Sequence, residues 1–284
     1  MVKPDIDIVG DGRVGRALAI AFERKWSPVN RIFARTAGRE PVESLLPRPF
    51  RSDDVLLGTV VIAVTDSQIE SVAKALKAHL RPGCVVLHTS GSLSSEVLAP
   101  LRETGASVGS LHPLISISDP VVGAENLAGA FFCIEGDEKA CQRAKELVGV
   151  LGGRSFRIAP DKKALYHAAA VMSAGHLVAL FSVSLELLAE CGISLDEARD
   201  VLAPLIASAA ANLRASSPEA ALTGPFARGD RETVEKNLRA IRKSEHPEFA
   251  EIYCLLGIRS LELAEKNGVS EDDIQAISAI LRAK

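Results

Sequence analysis

The sequence is poor in aromatic residues and has no excess of positive charge. Its 284 residues include one tryptophan, two tyrosines and nine phenylalanines, and the formal net charge is −3. Proteins that bind nucleic acid usually present a basic face to the phosphates and aromatic rings to the bases. Because this chain is short of both, we predict no nucleic-acid partner.

Cysteine pairs, a leader pattern and a clear membrane span are also missing from the sequence. The five cysteines are odd in number and include no CxxC pair, so we predict reduced thiols and no metal site. Asp5 and Asp7 interrupt the first apolar run, which argues against a signal peptide and favours a cytoplasmic protein. The longest apolar stretch, 168–188, contains His176, Glu186 and many small residues. A buried core helix explains it better than a membrane span, so we predict no membrane partner.

The pattern of apolar residues changes once along the chain. Up to residue 159, short β-rich runs alternate with helical segments, which predicts an α/β domain with a doubly wound parallel sheet. After Pro160 the β-rich runs stop and the remaining segments have a helical period. We therefore predict a nucleotide-binding domain over 1–159 and an all-α domain over 160–284. The predicted strands include 60–65, 84–89, 107–111, 130–134 and 155–158, and the predicted helices include 69–80, 138–151 and 162–190.

The first predicted strand leads into a G-x-G-x-x-G pattern, and an alanine-rich amphipathic segment follows it. The pattern runs Gly10, Asp11, Gly12, Arg13, Val14, Gly15. In a dinucleotide site the first glycine allows the tight turn, the second lets the backbone approach the pyrophosphate, and the third lets the helix pack on the strand. The amides and dipole at the helix N-terminus then attract the phosphates. The pattern thus predicts a dinucleotide-binding loop, and a plain glycine turn is the alternative.

The next predicted strand ends in Arg35 and Thr36, with Arg39 close behind. Sites for NAD usually have an acidic residue here, bonded to the ribose 2′-hydroxyl. A guanidinium can instead pair with a phosphate through two hydrogen bonds. We therefore predict that the cofactor is NADP (NADPH) and that Arg35 and Thr36 lie at its 2′-phosphate. The alternative is that Arg35 is only a solvated cation at a strand end.

Polar residues also follow the next two predicted strands. Ligands of open α/β sheets bind outside the carboxyl ends of the strands. This rule makes two segments candidates for the wall of the nicotinamide pocket: Thr65, Asp66 and Ser67, and the residues 88–92, which include Ser90 and Gly91. The alternative for these hydroxyl-bearing residues is ordinary helix capping, and we expect Asp66 and Ser67 to cap the helix that follows.

Candidate catalytic residues come from two further segments. His112 and Pro113 follow a predicted strand, and a histidine there can exchange a proton near neutral pH. Lys163, Tyr166 and His167 lie near one face of the first helix of the all-α domain. We predict that His112 lies on one wall of a substrate cleft between the two domains and that these three residues lie on the other. A structural role is the alternative for His112.

A loop-like segment, 222–230, contains Thr223, Gly224, Pro225, Arg228 and Asp230. This density of special residues predicts a shaped loop within the helical domain. The two charged residues are candidates for an ion pair or an anion clamp. We expect either a functional or dimer-interface role, or a plain connector.

Together these motifs resemble the Rossmann-like proteins that carry a DUF2520 domain, within the 6-phosphogluconate-dehydrogenase-like superfamily. The resemblance spans nearly the whole chain and rests on four segments: 10–15, 110–114, 163–169 and 222–230. It implies an N-terminal Rossmann domain, an all-α C-terminal domain, a homodimer formed through the helical domain, and a substrate bound between domains. Relatives of the hydroxyacid type carry Lys-x-x-x-Asn, whereas this chain has Lys163 followed by His167. The His-Pro pair at 112–113 is similar to the catalytic segment of prephenate dehydrogenases, although the residues after Pro113 depart from that pattern.

Two functional hypotheses follow from these residues and the resemblance. The first is an NADP(H)-dependent oxidoreductase acting on a small, anionic carbonyl, imine or hydroxy-acid substrate. The second is a non-catalytic NADP-binding sensor or scaffold, favoured by the missing asparagine partner of Lys163. Neither substrate identity nor reaction direction follows from the sequence.

Overall fold

A computed structural model describes residues 6–25, 27, 29–36 and 40–283 of the chain. Arg39, which follows the predicted phosphate-binding arginine, lies outside the described residues. The chain divides into two compact units, Met1–Gly175 and His176–Lys284.

The first unit is built around a seven-stranded sheet with the order β2-β1-β3-β4-β5-β6-β7. Short apolar runs form its buried central strands, as the sequence predicts. The strands are β1 Ile6–Val9, β2 Val29–Phe33, β3 Thr59–Ile62, β4 Val85–His88, β5 Ser107–Pro113, β6 Phe131–Gly136 and β7 Arg154–Arg157.

One strand corrects the prediction of a wholly parallel sheet. The pairings from β2 to β5 are parallel, but β6 runs antiparallel to β5, with Leu111 opposite Ile134. Strand β7 is again parallel to β6. Strand direction depends on how the preceding connection crosses the sheet, and residue patterning does not encode it directly.

Helices cover both faces of the sheet, which confirms the doubly wound arrangement. One buried cluster includes Leu18 and Leu147, and the other includes Ile69 and Leu98. The helices are α1 Arg13–Arg24, α2 Asp66–Leu76, α3 Pro120–Asn126, α4 Glu138–Leu151 and α5 Lys163–Ser173, with a long 3₁₀ helix at Ser95–Thr104 and a short one at Pro160–Lys162. Helix α2 begins earlier than predicted, and its N-cap is Thr65, not Asp66 or Ser67.

The division into units does not coincide with the predicted domain boundary at residue 159. The last strand ends at Arg157, so the change from strands to helices lies where the sequence suggests. The boundary between the compact units lies later in the sequence, after Gly175, so α5 belongs to the first unit. The Lys163 side chain fixes α5 there, because it is hydrogen-bonded to residues of the sheet and of the loop after β4.

The second unit consists of helices in its described part, as predicted. They are α6 Gly175–Glu190, α7 Leu195–Ala215, α8 Pro218–Ala221, α9 Gly224–Ala227, α10 Arg231–Arg242, α11 Phe249–Lys266 and α12 Glu271–Arg282; α6 begins at the boundary between the units. Buried apolar side chains of the last three helices form its core: Val234, Leu261, Ile277 and Leu281.

The apolar segment 160–190 differs from the expectation of one buried core helix. It is interrupted at Ala174, where the backbone leaves helical geometry between α5 and α6. Helix α6 contributes no buried residue, so the interpretation as a core helix is wrong. By length and composition Pro160–Glu190 could cross a membrane, with a mean hydropathy of 1.8. Its exposed apolar side chains include Met172, Leu177, Val178 and Leu180.

Candidate active site

The glycine loop between β1 and α1 has the geometry that its spacing predicts. Gly10 has a φ of 118°, and a Cβ there would overlap the Ala63 carbonyl. A Cβ at Gly15 would overlap the Gly10 carbonyl oxygen, so α1 can approach β1 closely only with glycine at this position. Gly12 differs, because a Cβ there would meet nothing within 4 Å. Two glycines thus serve backbone packing, and the third leaves open space above the loop.

The start of α1 is suited to an anion. Gly12 is the N-cap, no side chain caps the helix, and its first turn contains no acidic residue. The first amides of a helix have no intrahelical partner, and the helix dipole adds positive potential. These features match what a dinucleotide pyrophosphate needs. The chain's own residues therefore fit the predicted cofactor.

A cavity of about 570 Å³ extends from this loop along the carboxyl ends of the strands. It brings together most of the residues predicted from the sequence: Gly10, Gly12, Arg13, Val14, Arg35, Thr65, Asp66, Ser90, His112 and His167. The other predicted residues, Gly15, Thr36, Ser67, Lys163 and Tyr166, are not part of its lining. All of these residues belong to the first unit.

The arginine after β2 lies where the sequence predicts a phosphate contact. Arg35 is exposed and lines the cavity, and the exposed Thr36 follows it. The strand end contains no carboxylate that could bind a ribose 2′-hydroxyl, since Phe33 and Ala34 come before Arg35. This end of the cavity is therefore suited to a phosphate in preference to a hydroxyl.

Hydroxyl groups shape the loop that follows β4. Ser90 Oγ accepts hydrogen bonds from the backbone amides of Ser92 (3.2 Å) and Leu93 (3.0 Å). Ser92 Oγ donates to Asp66 Oδ2 at 2.6 Å, which ties this loop to the start of α2. Thr65 Oγ1 lies 3.4 Å from Ser67 Oγ, near the cavity rim. Ser90 therefore stabilises a turn, while its position in the cavity wall still allows ligand contact.

His112 is the residue of the site most strongly altered by its surroundings. It is the penultimate residue of β5, so it lies within the strand end and not after it. Its Nδ1 lies 2.8 Å from the Tyr166 hydroxyl, and a Cβ on Gly91 would lie 2.7 Å from its Nε2. Burial, together with the positive charge of Lys163, lowers the pKa of His112 to about 4. His112 is therefore a neutral imidazole at pH 7.

His167 faces the same point from α5. A Cβ on Gly91 would overlap its Nδ1, and the ring centroids of His112 and His167 are 5.7 Å apart. His167 Nδ1 is buried and has no hydrogen-bond partner among the described residues. A buried polar atom without a partner is costly unless a ligand or water satisfies it. Two imidazole nitrogens therefore converge over Gly91, where a substrate atom can reach both.

Lys163 is turned away from the cavity, in contrast to the predicted substrate contact. Its side chain is 1% exposed, and Nζ donates to the Ser90 carbonyl at 2.9 Å and to Ser110 Oγ at 3.1 Å. Burial lowers the pKa of Lys163 from its usual value. Lys163 thus holds the loop after β4 against β5, and its charge acts on the site through neighbouring groups.

The sequence analysis placed Gly91 only in the pocket wall, and it missed the parts that Ser110 and Cys133 play in this cluster. Gly91 provides the space for the two imidazoles, Ser110 receives the Lys163 ammonium, and the buried Cys133 contacts the Tyr166 hydroxyl. The one available signal was the spacing of Ser110 and His112. They are two residues apart along β5, so both lie on the same face of the strand.

The segment 222–230 in the second unit has a structural explanation. Asp230 is the N-cap of α10 and accepts hydrogen bonds from the Thr233 amide (3.0 Å) and hydroxyl (2.7 Å). A Cβ on Gly229 would lie 2.9 Å from Val269, and the Phe226 ring packs against Tyr253. Asp230 thus serves α10, and the predicted clamp with Arg228 is not what fixes this carboxylate.

Two family models match consecutive parts of the chain, and the first unit contains the whole of one match and the start of the other. Residues 2–113 match the Rossmann-like domain, and residues 130–260 match the DUF2520 domain, a domain of unknown function. No curated protein matches the chain significantly.

Solved structures share the fold over most of the chain. Protein TM1727 from Thermotoga maritima is 26% identical, with a TM-score of 0.72, and the match covers 92% of this chain and 99% of that one. A Bacteroides fragilis protein, BF3122, described as a candidate NADP oxidoreductase, is 21% identical with a TM-score of 0.71, covering 92% and 98%.

A third match is pyrroline carboxylate reductase from Plasmodium falciparum, solved with NADP bound. It is 12% identical with a TM-score of 0.60, covering 97% of this chain and 99% of that one. At such low identity the likeness shows the fold alone. The two matched domains nevertheless agree with the strands, helices and glycine loop described above. The chain therefore carries a segment that matches the Rossmann-like domain, followed by a segment that matches the DUF2520 domain.

Proposed function

We propose that this protein is an NADP(H)-dependent oxidoreductase acting on a small carbonyl, imine or hydroxy-acid substrate. One observation carries the proposal: a single cavity connects the glycine loop and Arg35 with His112 and His167. A dinucleotide site and a pair of proton-exchanging side chains are the two parts that such a reaction needs. Solved proteins of similar fold include reductases with NADP bound, which supports the same cofactor.

Each residue has a distinct part in this proposal. The glycine loop and the start of α1 bind the pyrophosphate, and Arg35 with Thr36 binds the 2′-phosphate. Thr65, Asp66 and Ser90 border the nicotinamide end, and Ser67 lies beside Thr65, outside the cavity lining. When bound, the nicotinamide supplies or accepts two electrons and one hydrogen.

The proton chemistry belongs to the side chains around Gly91. His112 presents Nε2 to the substrate, and His167 presents Nδ1 beside it. Lys163 fixes the Ser90 carbonyl and so holds the loop that carries Gly91. Tyr166 orients His112 through Nδ1.

The decisive experiment combines cofactor binding with a turnover screen. We expect calorimetry to show tighter binding of NADP than of NAD, because Arg35 occupies the usual place of the ribose-binding carboxylate. NADPH oxidation is then followed with small keto acids, neutral ketones, aldehydes and cyclic imines. Faster turnover of keto acids than of neutral ketones would support the predicted anionic substrate. A protein that binds neither dinucleotide would contradict the proposal.

The orientation of Lys163 favours a second candidate function. Its ammonium is bound internally, so it cannot meet a substrate directly without leaving Ser90 and Ser110. A sensor or scaffold that binds NADP without turnover would have no need for such a contact. Tight NADP binding together with no NADPH oxidation across the screen would support this candidate.

We also propose that two copies of the chain form a homodimer through the helical unit. Helix α6 has no buried residue, and α7 has only Ala198. Their exposed apolar side chains include Val178, Val201, Leu205 and Leu213. Exposed apolar surface of this extent marks an interaction site.

A second copy fits this surface better than a lipid bilayer. Lys163 and Tyr166 hold α5 to the first unit, so only the 16 residues of α6 could enter a membrane. At 1.5 Å per residue they span about 24 Å, short of the ~30 Å hydrocarbon core. Helix α7 carries Asp196, Glu197 and Arg199 in its first turns.

The dimer is tested by sedimentation of the wild type and of variants with a lysine in the apolar surface. We expect a dimer for the wild type and a monomer for Val178→Lys with Leu205→Lys. Val121→Lys, at an exposed apolar position of α3, is the matched control and should remain dimeric. A monomeric wild type, or one that floats with lipid vesicles, would contradict the proposal. A cytoplasmic location and the lack of a nucleic-acid partner stay predictions from the sequence.

A further inference from the structure

A chain of polar groups runs behind His112, away from the cavity. The Tyr166 hydroxyl lies 2.8 Å from His112 Nδ1 and also contacts the Cys133 thiol. Lys163 Nζ lies 5.8 Å from the centroid of the Tyr166 ring. The two hydrogen bonds that Nζ makes are to the neutral oxygens of Ser90 and Ser110. A buried cation thus lies beside a phenol that is hydrogen-bonded to the histidine of the cavity.

The direction of these hydrogen bonds follows from the strength of the acceptors. Among the described residues, the polar groups in contact with the Tyr166 hydroxyl are the His112 imidazole and the Cys133 thiol. A thiol sulfur is a weak acceptor, whereas the unprotonated nitrogen of a neutral imidazole is a good one. The Tyr166 hydroxyl therefore donates to His112 Nδ1. Because a neutral imidazole carries one proton, that proton is on Nε2, which faces Gly91 and the cavity.

The geometry points to a substrate whose reacting group is a carbonyl or hydroxyl oxygen. His112 Nε2 protonates this oxygen, Tyr166 replaces the proton through Nδ1, and Lys163 supplies the counter-charge. This inference rests on the proposed function and narrows its substrate class. It excludes the imine that the proposed function still allows.

Two-electron reduction of a carbonyl by a reduced nicotinamide dinucleotide leaves an alkoxide oxygen. A lone pair of that oxygen takes the Nε2 proton of His112 while Nδ1 takes the hydroxyl proton of Tyr166. The products are an alcohol, a neutral His112 protonated on Nδ1, and a Tyr166 phenolate. After the product leaves, the Nδ1 proton returns to the Tyr166 phenolate and Nε2 takes a proton from solvent, which restores the starting state. Oxidation of an alcohol follows the same path in reverse.

The charges around the site favour an oxygen over an iminium nitrogen. An N–H donor and a buried ammonium stabilise developing negative charge, as in other sites that bind an oxyanion. The same two groups repel the positive charge of a protonated imine. Burial raises the pKa of Tyr166, which keeps the phenol protonated until a strong base such as an alkoxide draws on it. The groups whose charges act on His112 are Lys163, His167, Asp66 and His88.

The first test uses nitrogen NMR of histidine in the protein without cofactor. We expect His112 to be neutral at pH 7, with its proton on Nε2. In Tyr166→Phe the donor to Nδ1 is lost, and the preference for the Nε2 proton should weaken. Tyr253→Phe removes the other tyrosine hydroxyl of the chain, in the second unit, and should leave His112 unchanged. A His112 that is charged at pH 7, or that carries its proton on Nδ1, would overturn the inference.

Lys163 is tested by its effect on the same signal. Lys163→Met keeps a long apolar side chain and removes the charge. Because the positive charge of Lys163 disfavours protonation of His112, we expect the pKa of His112 to rise in this variant. A merely structural lysine would leave that pKa where it is in the wild type. An unchanged pKa of His112 in a folded Lys163→Met protein would therefore show that Lys163 is not the counter-charge in this proton transfer.

The second test is the choice of substrate. We expect NADPH-dependent turnover of carbonyls and none of cyclic imines. Tyr166→Phe should lower kcat by about a hundredfold, the usual order for loss of a proton donor, with the KM for NADPH unchanged. Turnover of imines but not carbonyls would overturn the inference and leave the proposed function standing. Failure to bind any dinucleotide would overturn the proposed function. The NMR result would still show whether Tyr166 donates to His112 and keeps its proton on Nε2.

Discussion

The glycine loop allows one substitution to separate cofactor binding from folding. A Cβ at Gly12 would meet nothing within 4 Å, and the φ of −73° suits any residue. Gly12→Val therefore places its side chain in the open space above the loop, where the pyrophosphate would lie. Gly12 is also the N-cap of α1, where valine is worse than glycine by about 1 kcal/mol. For a domain of this size that amounts to a fall in Tm of about 2–4 °C.

The expected loss of affinity is much larger than the loss of stability. Hydrogen bonds between backbone amides and a charged phosphate contribute about 1.5–3 kcal/mol each. Displacing the pyrophosphate from two amides therefore costs about 3–6 kcal/mol, or roughly 10²- to 10⁴-fold in Kd. Calorimetric titration with NADP measures this loss directly, and a thermal scan of the same sample shows that the variant is folded.

Two further glycine variants serve as controls. Gly149 lies on the exposed side of α4, and a Cβ there also meets nothing within 4 Å, so Gly149→Val should bind NADP as the wild type does. Gly15→Ala should instead fail to fold normally, because its Cβ would overlap the Gly10 carbonyl oxygen. A folded Gly12→Val protein with wild-type NADP affinity would refute the assignment of the loop to the pyrophosphate.

Three other predictions follow from the charges of the first unit. Arg35→Asp should weaken NADP relative to NAD by about ten- to a hundredfold in calorimetry, and equal wild-type affinities for both would contradict this. Burial lowers the pKa values of His112 and His88 from 6.5 to about 4, so the unfolded chain binds more protons between these pH values. The free energy of unfolding should therefore fall as the pH drops from about 6.5 to 4, by on the order of 3 kcal/mol per histidine. Urea titrations over this pH range should show a smaller fall for His112→Asn than for the wild type. The Asp54 carboxylate is nearly buried and forms an ion pair with Arg48. Asp54→Asn should therefore lower the stability by about 1–3 kcal/mol, measured as a lower urea midpoint. An unchanged midpoint would show that the ion pair does not stabilise the fold.

The cofactor half of the site could be predicted because its determinants are contiguous. Gly10, Gly12 and Gly15 lie within six residues, and their roles depend on backbone geometry that the spacing itself requires. Apolar runs likewise predict most strands, since each central strand is buried on both faces. The direction of β6 and the break at Ala174 depend on connections and packing, so the sequence pattern missed both.

The half of the site around His112 and His167 could be predicted only in part. The helical period groups Lys163 with His167, but it gives no information about how deeply each side chain is buried. Lys163 is buried because its ammonium reaches Ser90 and Ser110, which are 73 and 53 residues away in sequence. Such long-range partners decide whether a lysine meets a ligand or an internal oxygen, and periodicity alone cannot show them.

Gly91 illustrates the difference between the two halves. Its φ lies outside the left-handed range, so its backbone would accept any residue, and Ser90-Gly91-Ser92 looks like an ordinary turn. The need for glycine comes from elsewhere: a Cβ would lie 2.7 Å from His112 Nε2 and would also overlap His167 Nδ1. These two imidazoles arrive from β5 and α5, on separate parts of the chain. The glycines of the first loop are thus explained by their own backbone, whereas Gly91 is explained only by the two side chains that meet over it.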